Sequence, residues 1–188
     1  ALFFVGSGAY SVLDDTPWIR DTIDLMVHVA DAGIPAFASC FGFQGLALAL
    51  GGKVERIDAL TEMGSTKLTL TEAGAACPLF RCLPRQFWAQ EGHHDHVTRL
   101  PPGVTLLASS DRVQAQAFRI DGTPFWASQF HPELTLASCL DRFHHYAEHY
   151  AIESEEAYLA QLEALQGGHD TPEVADLLGG LVRGDWRG

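Results

Sequence analysis

The chain predicts an α/β protein with three layers: a mostly parallel central sheet, helices on its faces, and a small antiparallel sheet beside it. Three observations carry this expectation. Short apolar runs, Leu2 to Val5 and Pro35 to Ser39, end in small-residue turns and lead into stretches with helical spacing. Strand and helix alternate from the start, the order that builds a parallel sheet covered by helices. Further on, Lys67-Leu68-Thr69-Leu70-Thr71 alternates polar and apolar residues, as a strand with one wet face does.

In chain order, Leu2 to Val5 predicts a buried core strand closed by Gly6-Ser7-Gly8. Asp15-Thr16-Pro17 supplies a cap and a proline for a helix start. Ile19, Ile23, Met26 and Ala30 recur at helical spacing, and Gly33 ends that helix. Pro35 to Ser39 is a second core strand, and Phe41 to Leu50 a helix stopped by Gly51-Gly52. Phe87 to Gln90, Val104 to Ala108 and Val113 to Ile120 follow as strands, with turns at Pro101-Pro102-Gly103 and Asp121-Gly122. Phe125 to Phe130 returns to the main sheet. Glu133 to Tyr150 is helical, with Leu136, Leu140, Phe143 and Ala147 on one stripe, and Ser154 to Leu165 and Pro172 to Val182 are two more helices. The expected organisation is one domain over residues 1–150 and a helical extension over 151–188.

Composition narrows the function. The 188 residues, 47% of them hydrophobic, suffice for a substantial core and exclude a disordered chain. The formal net charge of −12 argues against a nucleic-acid partner, which needs a basic face. No apolar run is long enough to span a bilayer, so no membrane partner is expected. Cys40, Cys77, Cys82 and Cys139 show neither CxxC nor zinc-ribbon spacing; with no secretory signal, free thiols in a reducing cytoplasm are the expectation. The chain opens at Ala1 directly on a core strand, which predicts further sequence upstream.

Two segments carry chemistry. Ala38-Ser39-Cys40-Phe41-Gly42 places a thiol where a strand turns sharply into a helix, with small residues two positions either side, as a crowded nucleophile turn requires. A thiol at a helix N-terminus is expected to have a lowered pKa, and the Phe41 N–H would face an oxyanion. Far downstream, His131 and Glu133 stand two apart on extended chain and so point to the same side. Glu133 would hold His131 in one tautomer, completing a thiol–imidazole–carboxylate set for acyl transfer. The plain alternatives are a buried cysteine packed as a small hydrophobe and a glutamate that caps a helix.

These motifs resemble the class I glutamine amidotransferase domain, closest to stand-alone members similar to the glutaminase half of GMP synthetase. Ser39-Cys40-Phe41-Gly42-Phe43-Gln44 and Gln129-Phe130-His131-Pro132-Glu133 carry the resemblance. Val5-Gly6-Ser7-Gly8, Gly92-His93-His94-Asp95-His96-Val97 and Ala115 to Phe118 agree with it, over residues 2 to about 150. The resemblance implies a flavodoxin-like fold and hydrolysis of the glutamine side-chain amide by Cys40, His131 and Glu133. It implies an oxyanion hole from Phe41 with Gly6, Ser7 or Gly8, and a substrate pocket that includes Gln44 and one of His93 and Asp95. It implies no cofactor, and a separate synthase subunit that takes up the ammonia. Ala38 stands where the family usually has Gly, and Gly8 where it often has Pro, which predicts a tighter turn and a less preformed hole. The family's first strand, helix and second strand have no counterpart, so a βαβ unit of roughly 30 residues is expected upstream, leaving the parallel sheet with an open edge.

Other candidates are weaker. His93, His94, Asp95 and His96 have the wrong spacing for one metal-binding face, and those that do not line the pocket are expected in solvent. His145 and His149 have helical ligand spacing without a third ligand. No metal site is therefore expected. Trp18, Trp88 and Trp126 read as core or pocket wall. No P-loop signature suggests ATP use. Two rival readings stay open: a γ-glutamyl peptide or conjugate hydrolase with the same three residues, and a catalytically silent binding or regulatory module.

Overall fold

The computed structural model describes residues 1–146 and 154–187. Nine strands and six α-helices occur among them: β1 (Leu2–Phe4), α1 (Pro17–Asp31), β2 (Ala36–Ser39), α2 (Phe41–Ala49), β3 (Lys53–Arg56), β4 (Glu62–Leu70), α3 (Glu72–Ala76), β5 (Gln86–His93), β6 (Asp95–Arg99), β7 (Val104–Ser110), β8 (Ala117–Ile120), β9 (Phe125–Ser128), α4 (Leu136–Tyr146), α5 (Glu155–Gln166) and α6 (Pro172–Arg183). The end of the helix expected up to Tyr150, with Ala147 and His149, lies outside the described residues.

The large sheet runs β1-β2-β9-β8-β7-β4-β5, and β3 pairs with β6 as a separate two-stranded antiparallel sheet. The large sheet is mixed. β1, β2 and β9 are mutually parallel, whereas β9-β8, β8-β7, β7-β4 and β4-β5 are antiparallel. The expectation of parallel strands thus holds for the three that lead into the Gly6 loop, Cys40 and His131. Connection length explains the β8–β9 pair: the two are joined by a tight turn at Asp121-Gly122, with Gly122 at φ 75°, and a link that short permits only antiparallel pairing.

Side chains alternate between the two faces of the sheet. Ala36, Ala38, Phe125 and Ala127 enter the core beneath α1 and α2, with Ile19, Met26, Val29, Phe43 and Leu46. Phe37, Trp126 and Phe130 enter the opposite core with Phe80, Leu107 and, from α6, Val174, Leu177 and Leu181. Small alanines on the first face let α2 lie close to the sheet; each fully buried Phe or Leu on either face stabilises by about 1.5–3 kcal/mol relative to exposure. Beyond residue 150, α6 is therefore part of the second core, and Leu165 of α5 joins Cys139 and Phe143 of α4 in a third.

β1 is an edge strand, and Leu2 and Phe3 stay 42% and 41% exposed. α1 begins as expected at Pro17, after Thr16 in extended conformation. Trp18 on its first turn is 44% exposed rather than core; it stacks on Phe41 with ring centres 5.9 Å apart and meets Tyr10 edge-on.

Candidate active site

β2 and β9 are parallel neighbours paired as far as Ser39 and Ser128, so the chain leaves both strands at the same end of the sheet. Residues just beyond adjacent parallel strands are placed to form a site. Cys40 follows β2 and Gln129 to Glu133 follow β9. The Cys40 N–H donates to Ser128 O at 2.8 Å, and the His131 N–H donates to Gln90 O at 2.9 Å, which ties both segments to the sheet.

Cys40 has φ 50° and ψ −104°, and is the one non-glycine residue with positive φ among the described residues. Such a conformation costs of order 1–3 kcal/mol and persists only where its surroundings enforce it. The enforcement is steric and local. A Cβ built on Gly42 would lie 2.9 Å from Phe4 O and 3.1 Å from Ala38 Cβ, so the turn closes only with no side chain at 42 and a small one at 38. Gly6 performs the same service across the site. A Cβ there would lie 2.6 Å from His131 Cε1 and 3.3 Å from Cys40 Cβ. The imidazole and the thiol-bearing carbon therefore converge on one point of backbone.

His131 Nδ1 lies 2.7 Å from Glu133 Oε1. An ionised carboxylate only accepts, so Nδ1 carries the hydrogen and Nε2 of the neutral ring keeps its lone pair. Ser39 Oγ donates to the same Oε1 over a longer 3.4 Å. Burial lowers the His131 pKa against the opposing pull of Glu133. Burial would raise the Glu133 pKa, but the His131 hydrogen bond and charge outweigh it and the carboxyl is held below its usual value. The expected lowering of the thiol pKa is not what the site produces. Burial pushes Cys40 up to about 11, with Arg142 and the Phe41 N–H opposing and Glu133 and Asp95 adding to it. Desolvation outweighs the helix terminus because the sulfur is enclosed, and the resting pair is a neutral thiol beside a neutral imidazole.

A cleft of about 240 Å³ opens onto Cys40, lined among others by Ser7, Gly8, Phe41, Gln44, His93 and Asp95. Its charged walls are Asp14, Arg56 and Asp95. The loop after Gly6 is folded: Ser7 Oγ accepts from Tyr10 N at 3.2 Å. The side-chain amide of Gln44 donates to Asp95 O at 2.9 Å and to Gln129 Oε1 at 3.1 Å, joining the two halves of the site. Asp95 accepts from Ser11 Oγ at 2.5 Å. Both His93 and Asp95 reach the cleft wall, while His96, expected in solvent, is buried between the two sheets.

Behind the cleft lies a fully buried polar group that the sequence did not flag. His93 Nδ1 donates to Asp95 O at 3.1 Å, and Nε2 lies 3.2 Å from Glu62 Oε2 and 3.4 Å from Glu91 Oε2. Glu62 also accepts from Ser110 Oγ at 2.8 Å and Gln116 Nε2 at 2.6 Å. Glu62, Glu91 and His93 bring three potential ligand atoms within 4.8 Å of one another. Burial, then the charge of Glu62, raises the Glu91 pKa well above its ordinary value, so the group relieves its own repulsion by keeping a proton. Arg142 of α4 was equally illegible from sequence: its Nη1 lies 3.1 Å from His131 Nε2 and 3.3 Å from Nδ1.

Residues 3–139 match the family model described as glutamine amidotransferase class-I. The chain is 37% identical over 113 residues to the GMP synthase (glutamine-hydrolyzing) of Xanthomonas axonopodis pv. citri, covering 57% of this chain and 21% of that protein. It is 34% identical over 123 residues to a glutamine-hydrolyzing GMP synthase subunit of Methanocaldococcus jannaschii, covering 65% of this chain and 63% of that one. It thus spans about a fifth of the bacterial relative and under two thirds of the archaeal one. A solved glutamine amidotransferase from Thermotoga maritima superposes with a TM-score of 0.74 at 22% identity, covering 99% of this chain and 78% of that chain, a likeness of fold.

Proposed function

The chain belongs to the class-I glutamine amidotransferase family, and from that premise we propose that it hydrolyses the side-chain amide of glutamine through Cys40, His131 and Glu133. The observation that supports this most is the convergence of three features at the ends of β2 and β9. These are the strained Cys40 turn, the His131 ring against Gly6, and the 2.7 Å bond from His131 to Glu133.

The thiol proton passes to His131 Nε2 as sulfur attacks the carboxamide carbon, and the tetrahedral oxyanion is met by the Phe41 N–H and an N–H of the Gly6-Ser7-Gly8 loop. The imidazolium then protonates the leaving nitrogen, ammonia departs, and a γ-glutamyl thioester remains. Water attacks that thioester with its proton going to His131, and collapse returns the thiol and releases glutamate. Because burial favours the neutral pair, charge separation occurs only when a carbonyl is present to receive the negative charge. The cleft's charged walls suit the head of the substrate: Arg56 for the α-carboxylate, Asp14 and Asp95 for the α-ammonium. Each step uses only side chains, backbone and water. The archaeal relative is named as one subunit of its synthase, and a synthase subunit that takes up the ammonia is the corresponding partner here.

Glutamate and ammonia release by the chain and by Cys40→Ala tests the proposal. Activity in the parent and none in the variant is the expected result. γ-Glutamyl-p-nitroanilide assayed alongside separates glutamine from larger γ-glutamyl substrates. A folded parent that hydrolyses neither substrate would overturn the reading.

A further inference from the structure

Arg142 reaches the imidazole in an unusual way. Its Nη1 is almost equidistant from the two ring nitrogens of His131, at 3.1 Å from Nε2 and 3.3 Å from Nδ1. An atom at those distances in the plane of the ring would collide with the ring carbons. Nη1 therefore lies over the face of the imidazole with an N–H directed at it, where a cation is attracted to the ring. The in-plane direction from Nδ1–H to Glu133 stays available.

We infer that Arg142 is a positioning residue for the reaction, holding the His131 ring from its face and balancing the charges that the attack creates. This rests on the proposed roles of Cys40, His131 and Glu133. In the resting site the Glu133 carboxylate is offset by the guanidinium. After proton transfer the order is thiolate, imidazolium, carboxylate and guanidinium, two charges of each sign in a buried space. Without Arg142 the same state carries an uncompensated negative charge, which burial penalises.

The groups facing His131 come from several elements. Glu133 lies on its own segment, Cys40 in the β2–α2 turn, Glu91 on β5, and Arg142 and Cys139 on α4; Glu91, Cys139 and Arg142 line a small cavity with it. Of these, Arg142 carries positive charge. Its effects on the pair have a definite sign: it lowers the Cys40 pKa and also the His131 pKa. Lys keeps the charge but not the planar fork of N–H donors, and Met keeps a similar reach without charge.

The test compares parent, Arg142→Met and Arg142→Lys, each checked for folding by circular dichroism and thermal melting. The first readout is the rate of iodoacetamide alkylation at Cys40 near pH 8, read by mass spectrometry. Loss of the cation should slow it by about tenfold in Arg142→Met, the effect of a shift of one pKa unit, with Arg142→Lys staying near the parent. A purely structural role predicts the opposite, because a loosened site exposes the sulfur and speeds alkylation. The second readout is the acid limb of glutamine hydrolysis, which should move to higher pH in Arg142→Met. Unchanged or faster alkylation in Arg142→Met overturns the inference. Slowed alkylation in a chain whose parent does not hydrolyse glutamine would uphold the role of Arg142 and remove the glutaminase reading instead.

Discussion

Glu133 Oε1 stands 2.7 Å from His131 Nδ1, and that one bond decides which nitrogen of the ring can act as a base. The carboxylate accepts only from Nδ1–H, so Nε2 is left unprotonated in the neutral ring. Glu133→Gln keeps the shape, but its amide can turn to donate to Nδ1 and trap the wrong tautomer. Steady-state kinetics should show kcat down by about 10²–10⁴ with KM little changed, by the logic of a tautomer-fixing acid in other nucleophile sites. A variant within a factor of a few of the parent would mean that Glu133 merely caps the turn before α4.

Gly6 makes a second prediction from space alone. A Cβ there would fall 2.6 Å from His131 Cε1, closer than carbon atoms approach. Gly6→Ala must therefore displace the ring or the loop. Because Gly6 lies beside the site rather than in a core cluster, the expected outcome is a kcat loss of about 10²-fold, the effect of roughly 1 Å of misplacement. The melting temperature should change little. Comparable loss of both would point to a folding defect instead.

How much of this was legible in the chain follows from what one-dimensional spacing can encode. The Cys40 turn and the His131–Glu133 pair are local, so their residue types and intervals show at once. Pro17 and Gly33 bracket α1 for the same reason. The antiparallel half of the sheet was less legible, because a strand's partner depends on connection geometry, and β3 and β6 pair across about forty residues. Arg142 on an amphipathic helix and Glu91 on a strand look like ordinary surface charges in sequence. Only the fold turns one onto the His131 ring and encloses the other completely.

The enclosure of Cys40 predicts its reactivity. With the thiol pushed up to about 11, little thiolate exists at neutral pH, and generic alkylation of resting Cys40 should be slow. Exposed Cys82 should label first at pH 7. A chloroketone analogue of glutamine supplies the carbonyl that the oxyanion donors await, and it should reverse the order, modifying Cys40 ahead of Cys82. Peptide mapping after short exposure to each reagent reads this directly. Rapid iodoacetamide labelling of Cys40 at pH 7 would show instead a preformed thiolate–imidazolium pair.

Glu91 supplies a prediction about stability. Its side chain is fully buried, neither carboxyl oxygen has a hydrogen-bond partner, and its pKa is raised well above 4.5 by burial and then by the charge of Glu62. The folded chain thus holds this proton more tightly than the unfolded chain does. Stability from the group is whole below about pH 4.5 and is lost as the pH rises towards the folded value, because unfolding then releases a proton. Glu91→Gln removes the titration while nearly preserving shape. At pH 8 the variant should melt about 2–4 °C above the parent, the shift expected for about 1 kcal/mol in a chain of this size. The difference should close as the pH falls towards 4.5. A gap independent of pH would show that packing rather than the proton sets it, and a variant less stable at pH 8 would mean that Glu91 is ionised in the fold and bonded to His93.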